Sequence, residues 1–331
     1  MTKKIILTGI KATGNPHIGN YLGSMKPALK LADHDETICY YFIANYHALT
    51  STGKAREIRD YTHEVAATWL ALGLDPQKVI FYRQSDIPEI FELHWILSCF
   101  CSKGLMNRAH AYKALVEKNN EQGIDSDSGI NMGVYTYPIL MSADILLFKA
   151  NTVPVGADQV QHVEIARDIA KQFNYQYGET FQLPQHHVNK DIPMILGLDG
   201  RKMSKSYNNT IPLFSSEEDL RKLIFRIKTD SLSPSDPKDP DSSILFQIYR
   251  GFATQQQAEE MKTKLLNGIG WGQVKSELFE LMNSYLRGPR QVFNELISNK
   301  EEIDIILKDG AAKAREFGSM FLKEVRRKID V

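Results

Sequence analysis

The stretch Ile5-Ile-Leu-Thr-Gly-Ile-Lys-Ala-Thr-Gly-Asn-Pro-His-Ile-Gly-Asn20 constrains this chain more than any other. An apolar run with strand character ends in a loop containing Gly9 and Gly14. His17-Ile18-Gly19-Asn20 then opens a helical pattern that reaches about Leu31. Strand, glycine-bearing loop and helix N-terminus together aim free backbone N–H groups and the positive end of a helix at one point, where an anion is favoured. Glycines let a phosphate approach the backbone closely. His17 and Asn20 fall one helical turn apart, so both can face one ligand as hydrogen-bond donors. An ordinary first strand–helix unit of an α/β protein has the same pattern, and the stretch alone does not separate the two. Far downstream, Gly200-Arg-Lys-Met-Ser-Lys-Ser206 is a glycine-led loop with Lys202 and Lys205 on it. That pair of ammonium groups suits a triphosphate tail, or is simply solvated.

Taken in this order, His17-Ile-Gly-Asn20 and Lys202-Met-Ser-Lys-Ser206 resemble the two signature motifs of the class I aminoacyl-tRNA synthetases. Asn20 stands where histidine is commonest, a variant familiar in the tryptophanyl subgroup. Tyr137-Pro-Ile-Leu-Met-Ser-Ala-Asp144-Ile-Leu-Leu, Val153-Pro-Val-Gly-Ala-Asp-Gln-Val-Gln-His-Val-Glu164 and Arg167-Asp168 are also similar to that subgroup. The likeness runs from about Ile5 to Asp330. It implies a Rossmann-like parallel-sheet catalytic domain over 1–207, with the ATP and amino-acid sites and the dimer interface. It implies an all-helical, tRNA anticodon-binding domain over 208–331, whose last helix can pack back on the first domain. The chain departs from the usual subgroup pattern at Lys11-Ala12, where glutamine and proline are common, at Ala157, which replaces an acidic residue, and at Ser142, which replaces alanine. Lys11 adds a positive charge beside the expected phosphate site.

At 331 residues the chain is long enough for a large core and two domains. It is 43% hydrophobic and 24% charged, as soluble globular proteins are. No apolar run approaches the roughly 18 residues of a membrane span. Met1-Thr-Lys-Lys-Ile reads as the start of a strand and not as a signal peptide, so a cytoplasmic location and no membrane partner are expected. A net charge of zero argues against sequence-independent coating of nucleic acid, though not against a local basic face. Cys39, Cys99 and Cys101 make no closed disulfide set and no metal or cluster spacing, and read as buried reduced thiols.

Further strands are expected at Thr37–Ile43, apolar enough to be buried on both faces of a parallel sheet, at Val79–Tyr82 and at Asn151–Val155. Helical patterns cover Lys54–Leu72, where Trp69 is most simply core, a proline-opened helix from Gln84-Ser-Asp-Ile-Pro88, and Lys103–Asn120. The polar segment Asn119–Gly129 reads as a mobile loop. Another helix spans Val134–Phe148 with Pro138 in its first turn. From Asn208 the character changes: a capping box at Ser215-Ser-Glu-Glu218, a proline-rich loop over Asp230–Asp241, then helices only. These are Ser243–Phe252, Gln255–Leu266, Gln273–Arg287, Gly288–Ser298, Glu301–Leu307 and Gly310–Ile329. The last carries Lys313, Arg315, Lys323, Arg326, Arg327 and Lys328, a solvated face or a place for tRNA phosphates.

Tyr137, Met141 and Asp144 share one helix face, and Asp144 interrupts an apolar run where a carboxylate rarely stays unpaired. A lysine or arginine of the fold could pair it. In the context of the whole pattern a ligand donor fits better, because an indole has one N–H and no acceptor. Met141, Val153 and Val155 would wall such a slot. His47, at the C-terminal end of the second strand, borders the pocket or is a hydrogen-bonded structural histidine. The resemblance implies that His17, Asn20, Lys202 and Lys205 are catalytic. It places ATP on Lys11, Ala12, Thr13, Gly19, Gly156, Ala157, Asp158, Met194, Met203, Ser204 and Ser206, and tryptophan on His47, Tyr137 and Gln159 as well as the slot. Lys113 becomes a candidate phosphate contact. The implied activity is activation of L-tryptophan with ATP and Mg²⁺ and its transfer to tRNA(Trp), first onto a 2′-hydroxyl, by a homodimer. The region from the Pro88 helix to about Asn120 would supply the dimer interface, or be buried in the monomer. A tyrosyl-tRNA synthetase, a small adenylyltransferase and a synthetase-like binding module are the competing expectations.

Overall fold

The computed structural model describes residues 3–34, 36–51, 54–188 and 195–331. Five parallel strands form one sheet: β1 (Lys4–Lys11), β2 (Thr37–Ala44), β3 (Val79–Arg83), β4 (Thr152–Pro154) and β5 (Gln185–His187), in the order β3-β2-β1-β4-β5. The order reverses between β1 and β4. Open α/β sheets place ligands in the crevice at such a switch point, beyond the strand C-termini. β5 had no apolar alternation to announce it; its Gln-His-His side chains are all exposed, because it pairs along one edge only.

Alternate side chains of the inner strands enter two separate cores. Ile6, Tyr41 and Phe81 pack on one face with Trp69, the Ala55–Ala71 helix and the Trp271–Ser298 helix. Leu7, Tyr40, Phe42 and Tyr82 pack on the other with the Pro88–Ser98, Met132–Leu147 and Val160–Tyr177 helices. The two-sided burial expected of β2 is therefore observed.

Several local expectations differ from the structure. The Lys103–Asn120 stretch is two helices, Lys103–Asn107 and His110–Glu121, and the cap expected at Ser215 is Ser216, whose Oγ accepts from the Asp219 N–H at 3.1 Å. Asn131 caps the Met132–Leu147 helix through its Oδ1, which accepts from the Val134 N–H at 3.0 Å, so Pro138 lies in the helix interior and not in its first turn. Asn119–Gly129 is not a free loop: the buried Asn119 donates its amide to the carbonyls of Ser126 and Ser128 at 3.0 and 2.9 Å. Cys39 is buried, but Cys99 is exposed. The breaks expected at Gly288-Pro289 and Gly310 are absent, and single helices run Trp271–Ser298 and Lys300–Ile329.

Gly310 is there for packing. β3 is an edge strand, and an uncovered edge invites pairing with another chain. The Lys300–Ile329 helix lies against it, with Ile303 and Leu307 in one core and Ala314 and Phe321 in the other. At the crossing, a Cβ on Gly310 would fall inside the Phe81 carbonyl. Ion pairs seat the same helix on the sheet domain: Arg315 on the buried Glu89, Arg326 on Glu92, and Asp304 on Arg83 and His63. Arg315 and Arg326 thus dock the helix and are not a free basic face.

Gly310→Ala is expected to lift this helix off β3 and to cost at least about 2 kcal/mol of unfolding free energy. Denaturant titration measures it, and Gly288→Ala, on an open helix surface, serves as the neutral comparison.

Candidate active site

β1 runs into the loop that bears Gly14, which adopts φ +91°, a conformation that side chains resist. His17 ends the loop as the cap of a short helix, Ile18–Asn20. Its Nδ1 accepts from the Asn20 N–H at 3.3 Å, and its own N–H donates to Asn20 Oδ1 at 3.1 Å. With Nδ1 occupied as an acceptor, a neutral His17 ring carries its proton on Nε2. Burial, and then the nearby Lys205 ammonium, push its pKa down to about 4, so the ring is neutral at physiological pH. The Asn20 amide keeps its NH₂ as donor. Each residue fixes the other, and each leaves one N–H group for a ligand. A π-turn, Tyr21–Met25, and a helix, Lys26–Ala32, follow.

The lysine loop closes over this start. Met203 is buried and donates its N–H to the Ile195 carbonyl. Ser204 N–H is held by Asn209 Oδ1 at 2.8 Å, and Asn209 donates onward to Asp199 at 2.7 Å and to the Lys202 carbonyl at 3.2 Å. Asn209 is the buried hub of the loop. Gly19 leaves room here: a Cβ would press on the His17 ring and lie 3.5 Å from Met203 Sδ.

From this frame the two lysines reach opposite banks of the crevice. Lys205 Nζ donates to the Thr13 carbonyl at 2.7 Å, after β1. Lys202 Nζ lies 3.8 Å from Asp158 Oδ2, after β4. Burial pushes the Lys205 pKa down to about 8, against a smaller upward pull from Glu64. Met194 lies outside the described residues. Gly156, Ala157, Asp158 and Gln159 are exposed beside the crevice, as is Ser206. Ala12 is fully buried and offers no side chain. Lys11 is turned onto the hydroxyls of Thr50 and Ser51 at 2.8 and 2.7 Å, so its charge is already engaged. Lys113 is exposed, 3.5 Å from Glu117 on its own helix.

Asp144 is fully buried, and no lysine or arginine among the described residues pairs with it. Its Oδ2 is 2.9 Å from His47 Nε2, and Gln84 Nε2 donates to Oδ1 and Oδ2 at 2.9 and 3.0 Å. Burial raises the Asp144 pKa, and the contacts from His47 and Gln84 oppose that rise. The second of these partners has no signature in the sequence; only its place at the end of β3 could have drawn notice. Tyr137 Oη is 2.6 Å from Nε2 of the buried His162, which orients a candidate ligand residue. Val153 belongs to the apolar core on this face of the sheet, and Met141 and Val155 pack against it partly buried.

Residues 2–287 match the family model described as tRNA synthetases class I (W and Y). The chain belongs to this family. It is 50% identical over 327 residues to the Tryptophan--tRNA ligase of Pseudomonas putida, covering 98% of this chain and 73% of that protein. It is 48% identical to the Tryptophan--tRNA ligase of Neisseria meningitidis, covering 100% and 99%. The crystal structure of Campylobacter jejuni tryptophanyl-tRNA synthetase complexed with ADP and tryptophan superposes with a TM-score of 0.88 at 42% identity, covering 99% of this chain and 100% of that one. These similarities make the chain a ligase, with the α/β Rossmann-like fold and helical C-terminal region of class I synthetases.

The Lys205 amine is expected to titrate near pH 8, and to fall further in Glu64→Gln, because Glu64 supports its charged form. NMR of ¹³C-methylated lysines reads both values.

Proposed function

We propose that this enzyme activates L-tryptophan with ATP and transfers it to tRNA(Trp). The observation that carries the reading is the lysine loop laid across the sheet's switch point, with Lys205 on the Thr13 bank and Lys202 toward Asp158. The intact His17, Asn20, Lys202 and Lys205 favour catalysis over a synthetase-like binding module, and the tryptophan ligases among its relatives favour tryptophan over tyrosine.

In the first step a carboxylate oxygen of tryptophan attacks the α-phosphorus, and the bond to the bridging oxygen breaks. The products are tryptophanyl-adenylate and pyrophosphate. In the second step a hydroxyl of the terminal adenosine attacks the activated carbonyl, and AMP leaves. Negative charge builds on the α-phosphoryl oxygens and on the departing pyrophosphate, so the protein supplies placement and positive charge more than proton transfer. His17 Nε2–H and the Asn20 amide serve the α-phosphate end. Lys202 and Lys205 serve the pyrophosphate end. Thr13, Gly19, Gly156, Ala157, Asp158, Met203, Ser204 and Ser206 frame the nucleotide. Mg²⁺ enters with ATP as part of the substrate; among the described residues no group of three or more His, Cys, Asp or Glu side chains could hold a metal.

For tryptophan, Asp144 accepts the indole N–H, Met141, Val153 and Val155 line the slot, and Tyr137, Gln159 and His47 complete it. An analogue without the N–H would leave the carboxylate desolvated and unpaired, which rejects it strongly. The helices from Glu217 onward would receive the tRNA anticodon. The exposed Trp95 and Leu115 lie in the Pro88–Asn120 region proposed to join two copies. No helix among the described residues is long and apolar enough to cross a membrane, and a cytoplasmic site of action fits the substrates.

Lys205→Ala is expected to lower tryptophan-dependent pyrophosphate–ATP exchange by at least about tenfold. Wild-type exchange in that variant would remove the loop from the mechanism. Asp144→Ala should raise KM for tryptophan by at least about tenfold while KM for ATP moves far less. Equal shifts in the two constants would make Asp144 structural.

A further inference from the structure

Gln84 begins the short 3₁₀ turn Gln84–Asp86 that follows β3, and its side chain has no exposure. Its Nε2 donates to both oxygens of Asp144, and its Oε1 accepts the backbone N–H groups of Tyr46 and His47 at 3.1 and 3.4 Å. Both halves of the amide are therefore engaged, and the reverse orientation would set a carbonyl oxygen against a carboxylate. Gln84 also has no exposed surface with which to meet a ligand. What it does is hold Asp144 and the Asn45–Ala48 helix in one register.

The count of lone pairs on Asp144 sharpens this. A carboxylate oxygen accepts two hydrogen bonds well. Oδ2 takes Gln84 and His47, whereas Oδ1 takes Gln84 alone. Among the described residues the remaining acceptor capacity lies on Oδ1, and Gln84 is the one partner that bridges both oxygens and so sets the plane of the group. His94 and Tyr82 also act on Asp144 electrostatically, but Tyr82 Oη and His94 Nε2 make no hydrogen bond, so neither fixes its orientation.

We propose that Gln84 is the positioning residue that makes Asp144 a selective acceptor, and that the preference for an aromatic amino acid bearing a ring N–H depends on it. The proposal rests on the assignment of the Asp144 slot to tryptophan. In its absence Asp144 would rotate or take up a proton, and a ring lacking the N–H would be rejected less.

The test is amino-acid-dependent pyrophosphate–ATP exchange with tryptophan and with benzothienylalanine, the isostere that has sulfur in place of the indole N–H. Three variants are compared: Gln84→Met, Gln84→Glu and Asp144→Ala, each with its thermal midpoint. In Gln84→Met, KM for tryptophan should rise and the preference for tryptophan over the isostere should fall, each by at least about tenfold, with KM for ATP and kcat at saturation within about twofold of wild type. Gln84→Glu is nearly isosteric and keeps the acceptor for Tyr46 and His47. Its protonated form can donate to Asp144 as the amide does, and its ionised form repels it. Its preference should therefore approach wild type at about pH 6 and decline by about pH 8.5, more steeply than in wild type. Parallel changes in KM for both amino acids in Gln84→Met, or a pH-independent preference in Gln84→Glu, would overturn the role of Gln84. If Asp144→Ala loses the preference and the Gln84 variants keep it, only the role of Gln84 fails. If Asp144→Ala also keeps it, the assignment of the slot fails with it.

Discussion

A carboxylate with no access to water sits at the centre of this molecule, and much of the local architecture follows from keeping it there. Burial alone would drive Asp144 to its neutral form, and an isolated charge in such a place is costly. The structure answers with donors from two different segments: Gln84 from the end of β3 and His47 from the helix after β2. Those segments are adjacent because β2 and β3 are paired in register from Cys39 and Val79 to Ile43 and Arg83. A polar specificity element in an apolar wall is thus set by strand pairing. It does not depend on loop conformation.

At the other side of the crevice the logic is different. Charge there is kept near solvent and on a loop that spans two banks. His17 is held neutral and Lys205 is poised within reach of neutral pH, both chiefly through burial. A nucleotide's charge favours the ammonium form of Lys205 once it arrives, so binding and protonation reinforce each other. The Thr13 carbonyl that Lys205 occupies is a partner that phosphate oxygens can replace. The two sides of the crevice are therefore built on separate principles: a hydrogen-bond lattice around the buried Asp144, and a lysine charge near solvent on the loop.

The sequence carried the switch-point architecture well, because glycine-bearing loops and apolar strands leave strong local patterns. β1 to β4, the helical second half and the convergence of His17 with Lys205 were all readable before any coordinates. What escaped was set by tertiary context. Gly310 looked like a helix end because glycine is a poor helix former, yet it is the point where a helix must touch a strand backbone. Lys11 has the hydroxyls of Thr50 and Ser51 as partners, contacts that no local pattern announced. Gln84 and Asn209 were invisible because a buried amide hub has no periodicity and no motif; its importance lies in partners far away in sequence.

The crossing of the Lys300–Ile329 helix over β3 also bears on how the molecule is made. Those residues leave the ribosome after every strand of the sheet has emerged. Until then the outer edge of β3 and the apolar rows on both sides of it stand open on the nascent chain, next to an already encoded substrate crevice. Such an edge invites wrong pairing while translation is in progress. Protection of that edge therefore waits on a helix encoded more than 200 residues after β3, and arrives only once Gly310 can seat against Phe81.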